Sequence, residues 1–298
     1  MTCVSQSRSR GGGEVVFADG TNVWVWDIAG ASVTQVIDPN LPSNPVAVVY
    51  FDGYFWVISG DSPRFAISAL NNGTSYPNFA DISTGNVSRL RGIAELNNRV
   101  FIFTDVNTVG FYNANADPAD PGAVGAFRRD QSIIIEYGAV GPGSVARGVG
   151  RVAWLSQSDR GQQRIFEIQG QREREISTDA VDDLISTLTN LNDATAYIYE
   201  ESGQIFYVIN FTTDNLTLAY DFKTSSQLQT NVWHTRAQLD GTRDEGQTYF
   251  FFNSTHYVGS FVNGNIYESS TNIFTDNGTP RRYIRTSAPL FDEGHRSI

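Results

Sequence analysis

Lysine is almost missing from this chain: Lys223 is the single one among 298 residues, beside twenty arginines. Basic residues number 21 against 32 acidic ones, a net charge of −11. Arg128-Arg129 and Arg281-Arg282 are the only adjacent basic pairs. Proteins that coat DNA or RNA rely on clustered positive charge, so tight nucleic-acid binding is not expected. A protein past which DNA slides is still allowed, because a negative wall repels phosphates and does not trap them. Cysteine is as scarce. Cys3 stands alone, which excludes a disulfide within the chain and any Cys/His zinc cluster. The three histidines, His234, His256 and His295, are far apart and share no ligand spacing. No apolar run approaches the roughly 20 residues of a membrane helix. Residues 1–13 lack the apolar stretch of a secretion signal, so synthesis in a cytoplasm is expected. The six Asn-x-Ser/Thr sequons, at Asn72, Asn86, Asn210, Asn215, Asn253 and Asn277, then read as chance in a chain rich in these residues.

Recognisable catalytic machinery is also missing. Gly-x-Ser-x-Gly, His-Glu-x-x-His and a phosphate-loop motif do not occur. Gly11-Gly12-Gly13 and Gly141-Pro142-Gly143 lack the Lys and the amphipathic helix of a phosphate loop. Paired carboxylates, Asp117 with Asp120 and Glu173 with Glu175, have the residue types of glycoside hydrolysis. They fall on a loop and an alternating strand with nothing converging on them. No catalytic, cofactor-binding or metal-binding residue is assigned, no cofactor is expected, and the chain is read as a non-enzyme.

What the chain does have is a repeat. Val15-Val16-Phe17-Ala18-Asp19-Gly20 leads into Asn22-Val23-Trp24-Val25-Trp26. Asp52-Gly53 leads into Tyr54-Phe55-Trp56-Val57-Ile58, Asn97-Asn98 into Arg99-Val100-Phe101-Ile102-Phe103, and Ser202-Gly203 into Gln204-Ile205-Phe206-Tyr207-Val208. Each copy is a strand, a two-residue polar turn and an aromatic-rich strand. Asp-Gly, Asn-Asn and Ser-Gly tolerate the positive φ of a tight hairpin, and the flanks suit a pleated sheet. Two weaker copies run from Gly150 through Asp159-Arg160-Gly161 to Ile168, and from Thr248 through Asn253-Ser254 to Gly259. Short third strands are expected at 32–37, 65–70, 109–112, 172–176, 216–222 and 265–268. Sheets repeated in this way must stack around an axis to bury both faces. The expectation is an all-β chain, a β-propeller of about six blades with one short inserted helix. The turns at Asp19-Gly20, Asp52-Gly53, Asn97-Asn98 and Ser202-Gly203 should lie at one end of the axis. The helix begins at an N-cap Ser177 or Thr178, with Asp179, Asp182 and Asp183 in its first turns as dipole partners. Ala180, Val181, Leu184, Ile185 and Leu188 give it helical spacing.

Boundaries follow from composition: a flexible segment over 1–13, the propeller over 14–291 and a tail over 292–298. Residues 71–87, 113–125 and 139–148 read as long loops. The first two are expected to contact neighbouring chains and to be mobile in the free protein.

The order of these segments resembles a known family. Ser88-Arg89-Leu90-Arg91-Gly92, then Arg99 to Thr104, then Thr108-Val109-Gly110-Phe111-Tyr112 are similar to the packaged-DNA stabilisation, or tail accessory, proteins of short-tailed bacteriophages. The glycine-rich residues 138–150 follow, then Val152-Ala153-Trp154-Leu155-Ser156, Ile165-Phe166-Glu167-Ile168 and the helix within 176–185. Residues 203–221 with Val232-Trp233 continue the resemblance, which covers roughly 45–291. It implies a structural virion protein of the tail, a hub or stopper below the portal that helps retain packaged DNA. It implies a homo-oligomeric ring, commonly of six copies. Implied partners are a portal or adaptor above and fibre, spike or needle proteins below. No catalytic residue is carried over. The alternative is a carbohydrate-binding or carbohydrate-cleaving propeller, motivated by the many Trp and Tyr residues, whose plainer role is strand packing.

Overall fold

Alternating apolar residues and turn residues that accept positive φ build six antiparallel sheets, the blades of a six-bladed β-propeller. The computed structural model describes residues 3–6, 13–83, 87–133, 135–157, 161–273, 275–276, 278–280, 291–292 and 295–296. Blade 1 is β1 (Cys3–Gln6), β2 (Glu14–Ala18), β3 (Val23–Asp27) and β4 (Ser32–Gln35). Blade 2 is β5 (Pro45–Phe51), β6 (Tyr54–Ser59), β7 (Arg64–Ile67) and β8 (Asn78–Asp81). Blade 3 holds β9 (Leu90–Leu96), β10 (Arg99–Thr104), β11 (Thr108–Asn113), β12 (Ala123–Val124) and β13 (Phe127–Arg129). In blade 4, β14 (Gly138–Ala139) and β15 (Ala146–Gly148) both pair with β16 (Arg151–Gln157), followed by β17 (Gln163–Gln169) and β18 (Arg172–Glu175). Blade 5 is β19 (Thr195–Glu201), β20 (Gln204–Phe211), β21 (Leu216–Asp221) and β22 (Trp233–Arg236). Blade 6 has three strands, β23 (Gly246–Phe252), β24 (Thr255–Ser260) and β25 (Ile266–Ser269). Two small hairpins follow, β26 (Thr275–Asp276) with β27 (Thr279–Pro280) and β28 (Phe291–Asp292) with β29 (His295–Arg296).

The turn chemistry holds where first and second strands meet. Both residues have positive φ at Asp52-Gly53 (49° and 89°), Asn97-Asn98 (50° and 62°), Ser202-Gly203 (53° and 73°) and Asn253-Ser254 (49° and 62°). That pair of angles matches the right-handed twist of the flanking strands. Val149-Gly150 makes a fifth such turn, with φ of 50° at a β-branched residue that disfavours it.

The placing of Asp19-Gly20 at the same end as the others is corrected by the pairing. Strand β1 occupies the innermost position of blade 1, against β5, so Asp19-Gly20 joins the second strand to the third. Successive antiparallel strands reverse direction, which puts this turn at the opposite end. It is also a four-residue link: Ala18 pairs with Val23, and the Asp19 carboxylate accepts from the Thr21 N–H (2.8 Å) and the Asn22 N–H (2.6 Å). The hairpin read from Gly150 to Ile168 is likewise second-to-third in blade 4.

Three segments read as loops contain strands. Residues 71–87 include β8, 113–125 include β12, and 139–148 include β15 with a short 3-10 turn, Pro142–Ser144. Pro77 directly precedes the outer strand β8, a position where a missing N–H is harmless. Strand Cys3–Gln6 lies inside the segment read as flexible. Helix α1 (Asp179–Ser186) starts at Thr178, whose side chain accepts from the Val181 N–H. A second helix, α2 (Phe222–Leu228), was not expected. Its N-cap is Asp221, accepting from the Thr224 N–H at 2.9 Å, and it ends at Gln229 with φ 54°. The Thr-Ser-Ser run conceals it, since these residues are indifferent helix formers. Expectations on Gly11-Gly12, Asn86, Asp159-Arg160, Asn277 and Arg281-Arg282, and on the side chains of Cys3 and His295, lie outside the described residues.

The core is divided among the joints between blades. Val16, Val25, Val48, Phe55 and Val57 fill the joint of blades 1 and 2. Trp56, Ile58, Val100 and Ile102 fill the next, and Phe101, Phe103, Val152 and Trp154 the one after. Ala153, Leu155, Ile198, Tyr207 and Ile209 join blades 4 and 5, and Tyr197, Val208 and Tyr249 join blades 5 and 6. Both faces of a central blade are therefore apolar, which is why its strands read as near-continuous hydrophobic runs.

Candidate functional site

Inner strands of blades 2, 4, 5 and 6 line a cavity of about 1200 Å³. Ala47, Ala146, Ile198 and Tyr249 contribute to its wall, from blades 2, 4, 5 and 6. Gly143, from the glycine-rich stretch, also lines it. Gly141 has no room for a side chain: a Cβ there would sit 2.9 Å from the Asn192 carbonyl oxygen. Arg147 reaches the cavity and forms a 2.7 Å ion pair with Glu95 of blade 3.

The two internal histidines stand at the joint of blades 5 and 6, at the two ends of one aromatic row that runs through Phe206 and Tyr199. Tyr199 lies between them, 5.3 Å from Phe206 and 6.4 Å from His256 by ring centroids. His234 packs edge-on to Phe206 at 5.9 Å. Arg236 spans the group. Its guanidinium lies 5.0 Å from the Phe206 centroid, donates to the Tyr199 hydroxyl at 2.8 Å, and donates through Nε to His234 Nε2 at 3.3 Å. That last contact needs a neutral imidazole. Burial, then the charge of Arg236, pushes His234 down from its ordinary 6.5 to about 4. The Tyr249 hydroxyl and His256 Nδ1 are 2.9 Å apart. Burial raises the Tyr199 and Tyr249 phenols, so both stay protonated at neutral pH.

The carboxylates weighed for catalysis are placed separately. Asp120 holds Arg128 at 2.8 Å, and Asp117 caps its own turn by accepting from the Ala119 N–H at 2.9 Å. Glu175 holds Arg164 at 2.7 Å. The buried acid of blade 4 is instead Glu167, with no exposed surface. It accepts from Arg151 at 2.8 Å and from Arg174 Nε at 2.6 Å, and Arg151 stacks over Phe222 of α2 at 4.6 Å. The alternation Ile165, Glu167 places this acid on a core face, but its partners emerge only from strand register. Among the described residues no group of three or more His, Cys, Asp or Glu is arranged to hold a metal ion. No described helix is long and apolar enough to cross a membrane. What the geometry offers is six blades beside a cavity, with seven of the described arginines tied to carboxylates, Arg64–Asp81, Arg99–Asp130 and the Arg128, Arg147, Arg151, Arg164 and Arg174 pairs.

The family model for Phage_stabilise, described as bacteriophage P22 Gp10, β-propeller, matches residues 5–273. No curated protein matches the sequence. Among solved structures, Kuenenia stuttgartiensis hydrazine synthase is similar at 11% identity, over 90% of this chain and 83% of that one, with a TM-score of 0.54. The dihydro-heme d1 dehydrogenase NirN is similar at 11% identity, over 87% of this chain and 52% of that one, with a TM-score of 0.52. At such identities the likeness is one of fold alone.

Proposed function

The chain belongs to the Phage_stabilise family of bacteriophage P22 Gp10 β-propellers, a phage tail and DNA-stabilisation family, and on that premise we propose that it works as a tail hub or stopper below the portal. In this role it helps retain packaged DNA and docks other tail proteins through loops on a rigid scaffold. It acts by protein–protein contact, in a homo-oligomeric ring, and performs no catalysis. Its neighbours are a portal or adaptor above and fibre, spike or needle proteins below.

The observation that carries this reading is the span of the family match, which runs from β1 into the last turn after blade 6. The charge supports it. A net charge of −11, with seven of the described arginines held in ion pairs, suits a surface past which DNA can move. Each phosphate contact formed in a channel would have to be broken again during ejection. The carbohydrate alternative draws less support, since Trp56 and Trp154 are fully buried in blade joints.

The test is particle composition and genome retention. Purified virions should contain the chain in several copies, and particles made without it should lose packaged DNA. Virions that lack the chain, or that keep their DNA equally well without it, would refute the role. Duplex DNA titrated at low and moderate salt should bind weakly; tight binding with a steep salt slope would refute the channel reading.

A further inference from the structure

Three Asn-Gly steps occur in the chain, Asn72-Gly73, Asn263-Gly264 and Asn277-Gly278. At such a step the glycine nitrogen can close a five-membered ring on the asparagine side-chain carbonyl carbon, since no Cβ on the glycine stands in the way. The first of them is built unlike a plain surface turn. It opens the sequon Asn72-Gly73-Thr74, in the link between β7 and β8 of blade 2. Gly73 is buried against blade 1: a Cβ there would lie 2.6 Å from Val16 Cγ2 and 3.1 Å from Glu14 Oε2. Its N–H donates to Glu14 Oε2 at 2.7 Å. The Asn72 side-chain oxygen accepts from the Thr74 N–H at 2.9 Å and from the Thr74 hydroxyl at 2.7 Å. Asn72 Nδ2 donates to nothing among the described residues.

The parts of an amide-transfer reaction thus stand around one side chain. A carboxylate sits on the nitrogen that must lose a proton, within the reach a general base needs. Two donors sit on the oxygen that must take up negative charge, at distances suited to an oxyanion. The leaving nitrogen is untied. The second Asn-Gly step lacks this arrangement. Asn263 Nδ2 donates to the Tyr267 hydroxyl at 2.7 Å and to Glu245 at 3.4 Å, and Asn263 Oδ1 has one donor, the Asn265 N–H at 2.9 Å. The Gly264 N–H meets no carboxylate among the described residues.

We propose that Asn72-Gly73 is a self-modification site, at which Glu14 drives conversion of Asn72 to aspartate and isoaspartate through a succinimide. The Gly73 nitrogen forms a bond to Asn72 Cγ and passes its proton to Glu14. The carbon becomes tetrahedral, and its negative oxygen is held by the two Thr74 donors. Collapse breaks the Cγ–Nδ2 bond, and Nδ2 leaves as ammonia with the proton that Glu14 took up. Water then opens the ring at either carbonyl, which leaves a carboxyl group at residue 72. Nothing is oxidised or reduced. The reaction runs once per chain and on no external substrate, so the chain stays a non-enzyme, and the tail role does not depend on it. Opening to isoaspartate inserts a methylene into the backbone beside Gly73. The fit of Gly73 on Val16 has no slack, so the modified link loosens from blade 1.

The experiment holds the full chain at neutral pH, samples it over days to weeks, and maps its peptides by mass. Loss of ammonia reports the succinimide, amide-to-acid conversion reports the product, and electron-transfer fragmentation separates isoaspartate from aspartate. Residue 72 should convert about tenfold or more faster than Asn263, a modest share of what a positioned base supplies. Glu14→Gln, whose amide oxygen still accepts the Gly73 N–H, should slow residue 72 by about tenfold or more and leave Asn263 unchanged. Thr74→Val, which removes one of the two oxygen donors, should slow residue 72 as well. Circular dichroism reports whether the variants fold. Wild-type chain unfolded in urea gives a reading that needs no variant: the arrangement exists only in the fold, so residue 72 should slow to the rate of Asn263 there. Equal rates at Asn72 and Asn263 in the folded chain, or an unchanged rate in folded Glu14→Gln, would overturn the proposal. So would a rate at residue 72 that rises on unfolding, which would show that the fold protects this step.

Discussion

Trp56 and Trp154 offer one substitution in two settings that differ in a single hydrogen bond. Both side chains are fully buried and caged by aromatic rings. Trp56 lies 4.8 Å from Phe127 and 5.5 Å from Phe65; Trp154 lies 5.0 Å from Phe103 and 5.8 Å from Phe166. Trp154 Nε1 donates to the Gly138 carbonyl at 3.0 Å, tying blade 4's second strand to its broken inner strand. Trp56 Nε1 finds no acceptor among the described residues. Replacing either by Phe removes the same atoms from a packed site, at a shared cost of about 1–2 kcal/mol in lost transfer energy and cavity. Trp154→Phe also takes a partner from a buried carbonyl, adding about 1–3 kcal/mol. Trp56→Phe removes a buried donor that had no partner, so nothing is added. The expected outcome is a urea midpoint that falls clearly further for Trp154→Phe, by an amount equivalent to about 1–3 kcal/mol, with unchanged m-values. Equal shifts, or a larger loss at Trp56, would refute the reasoning.

Three other perturbations test further contacts within and between blades. Glu167→Ala should destabilise by about 2–4 kcal/mol in the same urea assay, below the full cost of breaking a buried pair because Arg151 and Arg174 are partly exposed and can turn to water. Gly138→Ala should cost about 3 kcal/mol or prevent folding, read from soluble yield and thermal melting: a Cβ there would lie 2.3 Å from the Thr104 carbonyl oxygen, backbone that cannot swing aside. His234 holds its proton less tightly in the folded chain than in the unfolded one, so the unfolded state gains protons first on acidification. Stability should therefore be complete above about pH 6.5 and decline towards pH 4, and His234→Gln should flatten that part of the profile of melting temperature against pH.

What the sequence determined by itself was local. Asn97-Asn98 and Ser202-Gly203 are turns because few residues accept positive φ at both positions, and that preference acts within four residues of chain. Thr178 caps a helix for an equally local reason, and the count of six blades follows from repeating such units. The phase of the repeat was decided elsewhere. Whether Asp19-Gly20 joins first to second strand or second to third depends on β1 pairing across the intervening residues, and no neighbouring residue records that pairing. The inner strand of blade 4 is likewise recognisable only from β14 and β15 both meeting β16. Glu167 between two arginines, and His234 and His256 on either side of Tyr199, exist only through strand register and the packing of one blade on the next. Backbone preference is a property of neighbouring residues, whereas register and joint packing are cooperative properties of strands far apart in the chain, so tertiary structure alone brings these groups together.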